Sequence, residues 1–125
     1  MSSKSKDKGS RFERDIVNRH HEEGITAKKV PLSGAVDGYK GDVEIQYPSF
    51  GKPTIGECKS RKNGEGFITL EKWIKDCDIL FLRRDRQEPM VVMPWKLYNA
   101  FLRAFSEFAI NEEIRRMAEQ KRIGY

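Results

Sequence analysis

An α/β fold with a helical extension at the C-terminal end is the class this sequence predicts, on three observations. Val43, Ile45 and Tyr47 alternate with Asp42, Glu44 and Gln46, the period-two pattern of a half-buried strand. Phe12, Ile16 and Val17 recur at helical spacing and Gly24 closes their segment. After Pro94, the residues Leu97, Phe101, Leu102 and Phe105 form the apolar stripe of a second long helix, more often core than anything chemical. At 125 residues the chain is most simply one domain. A chain of this size buries roughly two-thirds of its unfolded surface, enough for a core without disulfide or metal staples.

The elements follow in order. Residues 1–9 are rich in Ser and Lys and read as a flexible basic tail, with residues 10–125 as the folded domain. Ser10-Arg11-Phe12-Glu13 fits a capping box, Ser10 at the N-cap and Glu13 at N3. Residues 27–32 are short and extended, and Pro31 argues for an edge strand. Residues 33–41 hold three glycines and form a loop. Residues 42–47 and 54–60 pair as a hairpin around a turn at 48–53. Residues 62–66 are a loop, and Thr69 is placed to cap a short helix over 70–76. A buried strand is expected at 79–82, a turn at 83–89 and another strand at 90–93. Pro94 suits the first turn of the last helix. Residues 110–123 continue as a heavily charged helix, an extension suited to docking on a partner.

Composition narrows the function. The net charge is +5 and the pI is about 9.3, which favours a polyanionic partner. The basic residues cluster: Lys4, Lys6 and Lys8; Lys59, Arg61 and Lys62; Arg83, Arg84 and Arg86; and Arg115, Arg116, Lys121 and Arg122. One such cluster is usually a solvated face, but several of them, one directly beside a carboxylate pair, point to phosphate contacts. The two cysteines, Cys58 and Cys77, match no zinc spacing and read as reduced thiols of a cytoplasmic protein. No apolar stretch reaches the ~20 residues that span a bilayer. The first residues lack the apolar region of a secretory signal.

The chemistry sits around Gly41-Asp42-Val43 and Glu57-Cys58-Lys59. Two residues apart on a strand, Glu57 and Lys59 project to one face. A hairpin brings Asp42 beside Glu57, so that two carboxylates can share one divalent ion. Oxygen ligands plus water suit Mg²⁺. The backbone carbonyl of Cys58 is a further ligand, and its thiol faces the other, buried side. Lys59 then stands near the attacked phosphate, to orient or deprotonate the water or to neutralise developing charge. An acid-x-lysine pair alone is commonly a surface ion pair. The Gly-Asp-Val opening, the glycine loop before it and the basic run after it favour a metal-dependent phosphodiesterase. Taken by itself, Glu13 suits the helix cap and the acidic site equally well. Asp37 competes with Asp42, but Asp37-Gly38 is a turn signal. Glu44 shares a face with Asp42 and can support it. His20 and His21 point about 100° apart on a helix, so solvated histidines fit better than joint metal ligands. Trp73 and Trp95 fit core or dimer packing better than base stacking.

These residues carry a resemblance. Lys8-Gly9-Ser10-Arg11-Phe12-Glu13-Arg14, Val30-Pro31-Leu32-Ser33-Gly34, Gly41-Asp42-Val43 and Glu57-Cys58-Lys59-Ser60 stand in series over about residues 8–95. In that order and spacing the chain resembles the PD-(D/E)XK nucleases, and within them the archaeal-type Holliday junction resolvases. The resemblance implies a restriction-endonuclease-like core, a mixed central β-sheet flanked by helices. It implies a homodimeric, structure-selective DNA endonuclease that resolves four-way junctions by paired hydrolysis with Mg²⁺, Mn²⁺ substituting. Asp42 and Glu57 would hold metal, Glu13 would complete the acidic pocket, and Lys59 would be the catalytic lysine. Ser33 would lie at the active-site edge. Lys8, Arg11, Ser33, Ser60, Arg61 and Lys62 would meet the DNA. Cys58 in place of an aliphatic residue, a slightly long hairpin and a longer, more basic C-terminal extension depart from the family pattern. The rival readings are another nuclease of the superfamily, acting on duplex, nicked or flapped DNA, and a non-catalytic DNA-binding module. A degenerate module would be expected to lose an acid or the lysine, yet Asp42, Glu57 and Lys59 are all present.

Overall fold

The structure is a computed structural model and describes residues 3–31 and 41–123. It is a mixed α/β arrangement of three helices and two small antiparallel sheets. The chain divides into two compact units, one comprising Met1–Ser60 with Leu102–Tyr125, the other Arg61–Phe101. Each is described by itself.

In the first unit, helix α1 runs Ser3–Glu22. It starts seven residues before the expected cap, so Ser10 lies inside the helix and residues 3–9, expected as tail, are helical. No proline interrupts this stretch and its single glycine, Gly9, weakens a helix without stopping it. Gly24 ends the helix as expected. Its φ of 77° is left-handed. The N–H of Ile25 reaches the carbonyl of His20 (2.9 Å) and that of Gly24 the carbonyl of His21 (3.0 Å), a Schellman close.

Strands β1 (Thr26–Lys29), β2 (Val43–Gln46) and β3 (Thr54–Gly56) form an antiparallel sheet in that order, which puts β1 at an edge as Pro31 indicated. The hairpin pairs Val43 with Gly56, Glu44 with Ile55 and Ile45 with Thr54. β3 stops at Gly56, so the expected strand over 54–60 is shortened and Glu57 to Ser60 continue outside it. No parallel pair occurs among the described residues, so they do not form the mixed sheet that the resemblance implies.

The core gathers Val17, Ile25, Ala27, Val30, Val43, Ile45 and Leu102. Fully burying an aliphatic side chain of this kind is worth roughly 1.5–3 kcal/mol. Val43 and Ile45 therefore fix the facing of β2, which leaves Asp42, Glu44 and Gln46 on the other side. His20, expected to be solvated, is buried with these residues. Its Nδ1–H donates to the carbonyl of Ile16 (2.7 Å), which lets a ring nitrogen leave water without remaining unpaired.

Helix α3 runs Trp95–Ile123. Within the first unit, Leu102 is fully buried. Ser106 Oγ donates to the carbonyl of Glu23 (2.6 Å) and Arg103 pairs with the Glu23 carboxylate (3.3 Å). Phe105 stacks near Tyr47 (6.0 Å) and Phe50 (6.4 Å). Further along, Arg115, Arg116 and Arg122 each pair with the glutamate three residues back: Glu112, Glu113 and Glu119.

In the second unit, helix α2 spans Phe67–Ile74 and begins three residues before the expected start. Gly66, left-handed at φ 80°, takes the N-cap, and Thr69 lies inside the helix without capping it. Strands β4 (Leu80–Leu82) and β5 (Met90–Val92) pair antiparallel. β4 is not the buried strand expected, for Phe81 is 67% exposed. Among the described residues of this unit none is fully buried; a two-stranded sheet has few neighbours with which to cover its faces. The carbonyl of Pro94 accepts from the N–H groups of Leu97 (3.1 Å) and Tyr98 (3.3 Å), so Pro94 opens α3 as expected.

Candidate active site

Asp42 is tied into the sheet on both sides. Its N–H donates to the carbonyl of Gly56 (2.8 Å), and its carbonyl accepts from the N–H of Val30 (2.9 Å). Continuing the β2–β3 register by one step sets Asp42 opposite Glu57, the juxtaposition that the hairpin argument required. Opposite residues of an antiparallel pair share a face, here the one away from Val43 and Ile45. Asp42 Oδ2 also accepts from the N–H of Cys58 (2.7 Å). One carboxylate oxygen thus holds the acid-x-lysine segment, and among the described residues the other has no hydrogen-bond partner and can serve a ligand.

The backbone before Asp42 needs glycine. Gly41 has φ 76°, and a Cβ there would stand 2.2 Å from Ile55 Cγ2 and 3.1 Å from the carbonyl oxygen of Gly56. Both the left-handed turn and the close approach of β3 exclude a side chain.

Glu57 and Lys59 do share a face, although the strand ends one residue before Glu57. They form an ion pair at 3.4 Å with both side chains more than half exposed. This is the i,i+2 pair that the bland reading of the triplet expects, and it also leaves an ammonium beside a carboxylate at the open side of the hairpin. Glu13, on α1, pairs with Lys29 of β1 at 3.4 Å, and Lys29 Nζ also donates to Ser10 Oγ (2.8 Å). The Ser10–Glu13 capping box is absent because Ser10 lies inside α1, and one lysine joins the two residues instead. Glu44, on the face of Asp42, is paired with Lys28 (3.6 Å).

The Cys58 thiol reports the local field. Burial first, and then the negative charges of Asp42, Glu13 and Glu57, push it up to about 11. Three carboxylates from three parts of the chain act on one point. Even so, no three His, Cys, Asp or Glu side chains among the described residues stand close enough to hold a metal ion between them. Glu13 pairs with Lys29 and Glu57 with Lys59. The donor set fits a hard divalent ion, since Asp42, Glu57, Glu13 and the carbonyl of Cys58 offer oxygen alone.

Lys8, Ser10 and Ser60 are half-buried, and Arg11, Arg61 and Lys62 are exposed. Ser33 and Asp37 lie outside the described residues. Lys29 was not singled out by sequence reasoning. Alternation gave no signal for it, because the β1–β2 register sets Lys29 opposite Val43, on the face of the buried Ala27 and Ile45. Trp73 is exposed and Trp95 packs on Tyr98, ring centroids 5.0 Å apart. No helix among the described residues is long and apolar enough to cross a membrane.

The family described as archaeal Holliday junction resolvase matches residues 4–122. Neither a curated protein nor a solved structure matches.

Proposed function

The chain belongs to the archaeal Holliday junction resolvase family, and from that premise we propose that it is a Mg²⁺-dependent endonuclease that resolves four-way DNA junctions by paired phosphodiester hydrolysis, in recombination and repair. Asp42 carries this reading. Three hydrogen bonds fix it opposite Glu57, with its carboxylate on the N–H of Cys58. Preorganisation of this kind is what a metal-assisted site requires of its protein.

In this reading Asp42, Glu57 and the Cys58 carbonyl hold Mg²⁺, with Mn²⁺ as a substitute, and Glu13 completes the acidic pocket. Bound there, the ion supplies a Lewis acid for the phosphate and an activated water. Lys59, kept within 3.4 Å of Glu57, neutralises negative charge as it develops on the attacked phosphate. Lys29 holds Glu13 toward the sheet. Ser33 borders the site, and Lys8, Arg11, Ser60, Arg61 and Lys62 bind backbone phosphates. We assign the chain, α1 included from Ser3, to a nuclease-like mixed α/β fold that acts as a homodimer in the cytoplasm.

The test is cleavage of a synthetic four-way junction. Asp42→Asn and Glu57→Gln should abolish cutting in Mg²⁺ and leave junction binding nearly intact, because affinity comes from the basic clusters. Full cleavage by either variant would remove the assignment.

A further inference from the structure

We propose that the turn joining β4 and β5 is a second DNA-backbone contact, made by Arg83, Arg84 and Arg86. The proposal rests on the DNA-directed reading above and concerns residues outside the site described there.

The basic clusters differ in how their charge is used. In α3, Arg115, Arg116 and Arg122 are each taken up by Glu112, Glu113 and Glu119. Lys59, Lys29, Lys28, Arg19 and Arg103 are likewise paired. Arg83, Arg84 and Arg86 are exposed, and none of them enters an ion pair among the described residues. Asp85 and Glu88 share the turn, yet neither is drawn to an arginine. A guanidinium is charged at every working pH and presents a planar fork that matches phosphate oxygens.

The turn also presents these groups on a defined frame. Leu82 pairs with Met90 at the base of the hairpin, and the N–H of Gln87 donates to the carbonyl of Arg84 (3.0 Å) across the tip. Arg86 lies in the left-handed region at φ 66°. Glycine or asparagine would adopt that conformation with less strain. Backbone strain retained at a charged residue is a pointer to function.

The experiment uses the full chain and a synthetic four-way junction without divalent metal, with binding measured between about 50 and 200 mM salt. The triple variant Arg83→Gln/Arg84→Gln/Arg86→Gln should bind about tenfold or more weakly, and its slope of log affinity against log salt should shrink by about 2 to 3. The matching triple lysine variant should keep the slope, which separates charge from any effect on folding. A glutamine variant with the parent's affinity and slope overturns the proposal. If that happens while the parent still binds and cuts the junction, only this contact fails. If the parent binds no junction DNA at all, the resolvase reading fails with it.

Discussion

Asp42 owes its position to main-chain bonds on both sides and to the residue before it. Gly41→Ala tests this. The left-handed φ costs ~1–2 kcal/mol for alanine, and the Cβ placed 2.2 Å from Ile55 adds overpacking of ~1–3 kcal/mol. Thermal unfolding should show a lowered midpoint, and cleavage should fall beyond what the lost stability explains, because Asp42 shifts with its neighbour. A midpoint equal to the parent's would show that this position accommodates a side chain. Lys59 tests the other half of the pair. It pairs with Glu57 at 3.4 Å, and the proposed reaction places it beside the attacked phosphate. Lys59→Ala should therefore slow cleavage of bound junction far more than it weakens binding, in single-turnover assays. Arg61→Ala should do the reverse. A Lys59 variant defective in binding alone would make this lysine a phosphate clamp.

At the scale of elements, α1 joins the acidic site to the core. It carries Glu13 on one turn and His20 two turns later, and His21 Nε2–H donates to the carbonyl of Ala27 (2.7 Å), fastening the helix to β1. Burial, the largest cause, and then the neighbouring His21 lower the pKa of His20, while its bond to Ile16 opposes them. The unfolded chain therefore takes up this proton more readily than the folded one. Stability is fully present above the ordinary value of 6.5 and is lost as pH falls through it toward the lower folded value. Urea unfolding should show a less stable protein at about pH 5 than at about pH 7.5. His20→Gln should flatten that difference. An unchanged pH dependence in the variant would show that His20 is not its source.

For the whole molecule, the proposed reaction sets a symmetry requirement. A junction is cut by two nicks placed symmetrically, and one chain offers a single Asp42/Glu57/Lys59 set. Light scattering at working concentration should give a dimer, and four-way junction should compete for the protein better than linear duplex at equal mass. A monomer would contradict the symmetry argument. Displacement of junction by duplex would leave a nuclease without a branch preference. The exposed Phe108, Ile110, Ile114 and Met117 of α3 are more apolar surface than the core of the first unit uses, which suits the expected role of the extension in docking on a partner.

Period and punctuation determined much of this protein. Alternation at residues 43–47 announced β2 and its buried face, Gly24 announced the end of α1, and Pro31 the edge position of β1. Alternation also put Asp42 on the face away from Val43 and Ile45, but the turn between the strands decided the register that sets it opposite Glu57. Local patterns failed where distant parts of the chain compete for the same group. Ser10 and Glu13 spell a capping box, but α1 starts at Ser3 and leaves both inside it, where Lys29, nineteen residues from Ser10, meets both. His20 looks solvated beside His21, but the core closes over it. Residues 79–82 are apolar enough for a buried strand, and burial still depends on what covers them. Backbone propensity and side-chain period are properties of short segments, so sequence alone determines them. The partner of a lysine, the burial of a histidine and the cover over a strand are contacts between distant segments, and only the tertiary structure decides them.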